Sequence, residues 1–139
     1  MIKQNKLPDD ILQRIAALPA RLERDERLVF AYLFGGLASG GDLKPLSDVD
    51  LAVYLDPRTD RAEAKLDLIG QMAAALGTDE FDLVILNDAP LSLSGRILQN
   101  RRVLVDKRPF IRHAYESLTL REFCDFHYHE QTILHRRFA

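Results

Sequence analysis

The stretch from Leu33 to Leu55, LFGGLASGGDLKPLSDVDLAVYL, decides how this chain is read. It begins on the end of an apolar run and passes through Gly35, Gly36, Gly40 and Gly41. It closes on Asp48-Val49-Asp50, which opens a second apolar run. Side chains alternate along a strand, so Asp48 and Asp50 share one face, roughly 6–7 Å apart along the chain. Two hard oxygen anions on one face suit magnesium. Glycines let backbone N–H groups approach an anion closely, and such nests bind phosphate. Strand, glycine loop and paired acids together therefore suggest a nucleoside triphosphate with its metal. Two other readings fail on spacing. No G-K-[ST] follows the glycines, so this is not a Walker-type loop. No third acid or glycine follows Asp50 as a calcium-binding EF-hand loop requires.

Working outward, Leu28–Phe34 and Val49–Leu55 read as strands, and Pro57 ends the second. Upstream, Pro8 to Leu18 reads as a helix with Ile11, Leu12, Ile15 and Leu18 on one stripe, and Pro19 predicts a stop or kink. The charged run Arg21–Arg27 reads as solvated. Downstream, Thr59 is the expected N-cap of a helix to Leu76, with Ala62, Leu66, Ile69, Met72, Ala73 and Leu76 as its apolar face. Gly77 is its expected left-handed cap. Phe81–Leu86 is a third strand, Asn87–Pro90 a turn, Leu91–Asn100 a short helix and Arg102–Val105 a fourth strand. The tail from Pro109 to Ala139 reads as helical. Thr119 with Glu122 is a capping box, and Phe123, Phe126, Ile133, Leu134 and Phe138 are apolar anchors. This order predicts a small α/β (α+β) domain, helices against a short mixed sheet of about four strands, with residues 1–139 as one domain.

Asp82 heads the third apolar run much as Asp50 heads the second. A carboxylate there would complete a two-ion site, in which metals about 4 Å apart stabilise both the attacking and the leaving oxygen at phosphorus.

Composition sets the bounds. The 139 residues are 47% apolar and 29% charged, with a formal net charge of −2. That balance gives no reason to expect a surface that coats nucleic acid. The one cysteine, Cys124, allows no intrachain disulfide and reads as a core or interface thiol. No apolar run approaches the roughly 20 residues of a membrane helix, and a cytoplasmic protein is expected. His127 and His129 fall on different sides of a helix, so they read as surface or packing residues rather than ligands.

The whole pattern resembles the minimal nucleotidyltransferase (MNT) group of the DNA polymerase β-like superfamily. The motif of that group is a G-S pair on a turn after a strand, a short loop, and D-x-D on the next strand. Here Leu33-Phe34-Gly35-Gly36 and Asp48-Val49-Asp50 match it, and Phe81-Asp82-Leu83-Val84-Ile85-Leu86 resembles the segment with the third carboxylate. Arg121-Glu122-Phe123-Cys124-Asp125-Phe126 resembles the closing helix. The resemblance implies an antitoxin that transfers AMP from ATP to a tyrosine of a HEPN-domain ribonuclease toxin, in a hetero-oligomer with it. It assigns Asp48, Asp50 and Asp82 to magnesium and catalysis, and Gly35, Gly36 and Ser39 to the phosphates. Gly36 stands where the group has serine and Ser39 where an arginine is common, and both departures weaken the expected grip on triphosphate. Two alternatives stay open: a degenerate MNT protein that neutralises its HEPN partner by binding alone, and a small-molecule nucleotidyltransferase.

Overall fold

The computed structural model describes residues 8–36 and 49–138, with side chains described through residue 133. The sheet is built on β1, Leu28–Phe34, an unbroken apolar run buried along nearly its whole length. Such a run has no solvent face and must be covered on both sides. β2 (Val49–Leu55) pairs antiparallel with one edge of β1, and β4 (Arg101–Asp106) pairs antiparallel with the other. β3 (Phe81–Ile85) pairs parallel with β2, giving the order β3-β2-β1-β4. A parallel neighbour needs a crossover, and the helix α2, Arg61–Leu76, provides it.

Helices cover both faces. α1 (Ile11–Leu22) and α2 bury Ile11, Ile15, Leu18, Leu22, Ala64, Leu68, Met72 and Leu76 against Leu33, Leu51, Val53 and Leu55. On the opposite face, Phe30, Tyr32 and Ala52 pack with Ile97 and Leu98 of α3 (Leu91–Gln99) and with Ile111 and Tyr115 of α4 (Pro109–Phe138). The rings of Phe30 and Tyr54 stack there at 4.8 Å. Asn87 closes the end of β2: its amide accepts from the Leu55 N–H (2.9 Å) and donates to the Leu55 carbonyl (2.8 Å). Among the described residues no helix is long and apolar enough to cross a membrane.

Several expectations need correction. α1 starts at Ile11 and runs through Pro19 to Leu22, because Leu22 continues the buried stripe at four-residue spacing while Leu12 points outward. Burying a leucine contributes about 1.5–3 kcal/mol, which offsets much of the interior-proline penalty of about 3 kcal/mol. The N-cap of α2 is Asp60, not Thr59, and its carboxylate accepts from the Glu63 N–H. The buried face of α2 is Ala64, Leu68, Met72 and Leu76; Leu66 is 73% exposed. The helix carries alanine or leucine on several sides, so periodicity does not phase it uniquely, and contact with α1 does. Thr119 and Glu122 cap nothing, because α4 is continuous from Pro109 and Thr119 is buried in its middle. Of the expected anchors, Phe126 and Ile133 are exposed, and the side chains of Leu134 and Phe138 lie outside the described residues. Cys124 is exposed rather than in the core. Gly77 holds its expected left-handed cap, φ 69°, with its N–H on the Ala73 carbonyl.

Candidate active site

The site lies where β1 ends and β2, β3 and β4 begin. In register, Phe34 faces Asp50 on one side and Arg101 on the other. Asp50 in turn faces Asp82 across the parallel β2–β3 ladder. Neighbouring strands lie about 4.8 Å apart and in-register residues share a face, so these two carboxylates stand side by side. Their face is the one covered by α3 and α4, because Ala52 and Val84, each two residues further along, pack there. Asp50 is half-buried and Asp82 is exposed. One acid is thus held by the fold while its neighbour is presented to solvent.

Gly35 ends β1 in the left-handed region, φ 78°. A β-carbon there would come within 2.5 Å of the Asp50 carboxylate oxygen Oδ2. The position therefore requires glycine twice over, for its backbone conformation and for its closeness to the acid. Gly36 differs: a β-carbon there would meet nothing within 4 Å. Asp48 and Ser39, both expected in the site, lie outside the described residues. Among the described residues no group of three metal-ligating side chains forms. Asp50 and Asp82 alone form a pair of hard oxygen donors in register, of the chemistry that divalent magnesium takes.

Sequence reasoning missed the supports of this site. Asn100, at the end of α3, donates its side-chain amide to the Gly35 carbonyl at 3.1 Å, across 65 positions of sequence. Only the tertiary fold could reveal such a contact. Beside it, Arg101 bonds Glu116 of α4 through Nε at 2.8 Å and lies 5.5 Å over the Tyr32 ring. The Tyr32 hydroxyl donates to the same Glu116 oxygen at 2.8 Å. Arg112 holds the other Glu116 oxygen at 2.8 Å and lies 3.0 Å from Asp106. Burial first, and then its bond to Glu116, raise the Tyr32 phenol far above its ordinary range and keep it neutral. Burial likewise raises Tyr115. His127, expected on the surface, is exposed and bonds Gln131 one helical turn on.

A short mixed sheet whose adjoining strands open on paired acids, next to a glycine turn, is an arrangement suited to a phosphate with a divalent metal. The chain belongs to the family described as Polymerase beta, Nucleotidyltransferase, whose model matches residues 17–110. Solved structures share the fold. A toxin–antitoxin structure with AMP-PNP matches at 22% identity and TM-score 0.69, covering 91% of this chain and 98% of that one. The tri-AMPylated Shewanella oneidensis HEPN toxin in complex with MNT antitoxin matches at 22% identity and TM-score 0.66, with the same 91% and 98% coverage. The toxin–antitoxin structure MntA-HepT matches at 22% identity and TM-score 0.65, covering 91% of this chain and 99% of that one. No curated protein matches the sequence.

Proposed function

We propose that residues 1–139 form one minimal nucleotidyltransferase domain, acting in the cytoplasm as the antitoxin of a HEPN-domain ribonuclease toxin. Its reaction is the transfer of AMP from ATP to a tyrosine of that toxin. The observation that carries this reading is the in-register pair Asp50 and Asp82, with Gly35 pressed against the Asp50 carboxylate. Asp48, Asp50 and Asp82 would hold magnesium, and Gly35, Gly36 and Ser39 would face the phosphates. When bound, magnesium draws charge from the phosphate oxygens and steadies the attacking and leaving groups. The chain's own part is positioning. The acceptor hydroxyl oxygen bonds the α-phosphorus, the bond from that phosphorus to the β-phosphate bridge breaks, and pyrophosphate leaves. Asp82, exposed at the mouth, takes the hydroxyl proton.

A second reading rests on Gly36. A β-carbon at Gly36 would meet nothing within 4 Å, so no clash at that atom accounts for the missing serine hydroxyl, which favours neutralisation by binding alone. The two separate cleanly. The HEPN protein is incubated with this chain, ATP and magnesium, the chain is removed, and ribonuclease activity is assayed. Silencing that outlasts removal, and is lost with Asp48→Ala plus Asp50→Ala, supports transfer. Silencing that ends on removal, and is equal for both forms, supports binding alone.

A further inference from the structure

β3 is the outermost strand on its side of the sheet, and among the described residues nothing pairs with its far edge. The Leu86 N–H donates to the Val53 carbonyl at 2.8 Å, so the polar groups of Val84 and Leu86 point inward to β2. Peptide groups alternate along a strand, so the N–H and C=O of Leu83 and the N–H of Ile85 face the open edge, while the Ile85 carbonyl already accepts from the Asp88 N–H at 3.2 Å and closes the edge at that end. An unpaired edge is a template for a further strand. This edge is the floor of a groove of about 440 Å³, walled by Arg61 and Lys65 of α2 and by Pro90 and Leu93 at the start of α3. Arg61 is held by Asp88 at 3.1 Å, leaving the rim with two cations against one acid. Asp82 lies two residues before Val84 on the same strand, roughly 6–7 Å away, and is exposed.

We propose that this groove seats the acceptor. The guest is an extended protein segment that adds to β3 as a strand, sets an acidic side chain against Lys65 and Arg61, and rests an apolar one on Leu93. Its hydroxyl then comes beside Asp82, where the oxygen bonds the α-phosphorus as pyrophosphate leaves and the proton passes to the carboxylate. This inference rests on the nucleotidyl-transfer reading above and adds to it the surface that chooses the acceptor. Strand addition explains why the cations flank a free backbone edge rather than the acids themselves: they select the guest and leave the phosphates to the glycine turn.

The test uses the full chain with a HEPN-domain protein as acceptor probe. Ala62 and Lys65 are both exposed on α2, so Ala62→Glu with Lys65→Glu reverses the rim without touching the core. The acceptor KM should rise about tenfold, the scale of a lost interfacial charge contact, while the KM for ATP stays unchanged. In the unaltered complex, the amides of Leu83 and Ile85 should slow in hydrogen exchange by about tenfold or more as they gain partners. An unchanged acceptor KM, or unchanged exchange at both amides in a complex that still transfers AMP, overturns the groove and leaves the transfer reading standing. No transfer by the unaltered chain overturns that reading, and the acceptor role of the groove with it.

Discussion

At the scale of single residues, the two glycines of the turn make opposite predictions. Gly35→Ala places a methyl group against the Asp50 carboxylate at a positive φ. The backbone alone costs about 1–2 kcal/mol, read as a lower urea midpoint, and AMP transfer should fall with it as Asp50 is displaced. At Gly36 a β-carbon would meet nothing within 4 Å, so Gly36→Ser adds the hydroxyl without a clash at that atom. A hydroxyl bonded to a charged phosphate is worth about 1.5–3 kcal/mol, so calorimetry with AMP-PNP and magnesium should show affinity rising about tenfold or more. Unchanged affinity would mean that the phosphates do not lie over this turn. Asp82 was legible in the sequence because an acid at the head of an apolar run has few places to go but the end of a strand. Asn100 was not, because nothing local marks a side chain that bonds a carbonyl 65 positions away.

At the scale of elements, the strands were the readable part. β1 and β2 declare themselves as short apolar runs bounded by a glycine turn and a proline, and both have the expected limits. The helices were less readable wherever more than one apolar stripe was available, as on α2, or where a cap-like pair such as Thr119 and Glu122 occurs inside an uninterrupted helix. Packing of α3 on α4 makes a direct prediction. A β-carbon at Gly95 would lie 2.2 Å from the Phe123 ring. Gly95→Ala should therefore destabilise by about 1–3 kcal/mol through overpacking, measured as a drop in thermal midpoint. Removing the ring in Gly95→Ala/Phe123→Ala should recover part of that loss in a double-mutant cycle. Additive losses would show that the two helices part easily.

At the scale of the molecule, the Tyr32–Glu116–Arg101–Arg112 network ties α4 to the same face of the sheet that carries Asp50 and Asp82. The unfolded phenol ionises near 10.0, whereas burial and Glu116 keep the folded Tyr32 neutral well above that. Its stabilising effect is full below pH 10 and is lost as pH rises beyond it, because only the unfolded chain releases the proton. Urea midpoints should fall from about pH 10 upward, and Tyr32→Phe should flatten part of that slope, with Tyr115 retaining the rest. At the acid end, the Arg27 side chain bonded to Asp25 holds that carboxyl below its ordinary 3.8. Stability from this pair is present above that pH and is lost as pH falls below it.

The Tyr32–Glu116–Arg101 network holds β1 and β4 next to the strand end where Phe34 pairs with Asp50, and the proposed role of Asp50 and Asp82 is to move AMP. Intact-mass measurement of the HEPN-domain protein after incubation with this chain, ATP and magnesium tests it most directly. A gain of one or more AMP units is expected, abolished by Asp50→Ala together with Asp82→Ala. A toxin silenced at unchanged mass by the unaltered chain would contradict it.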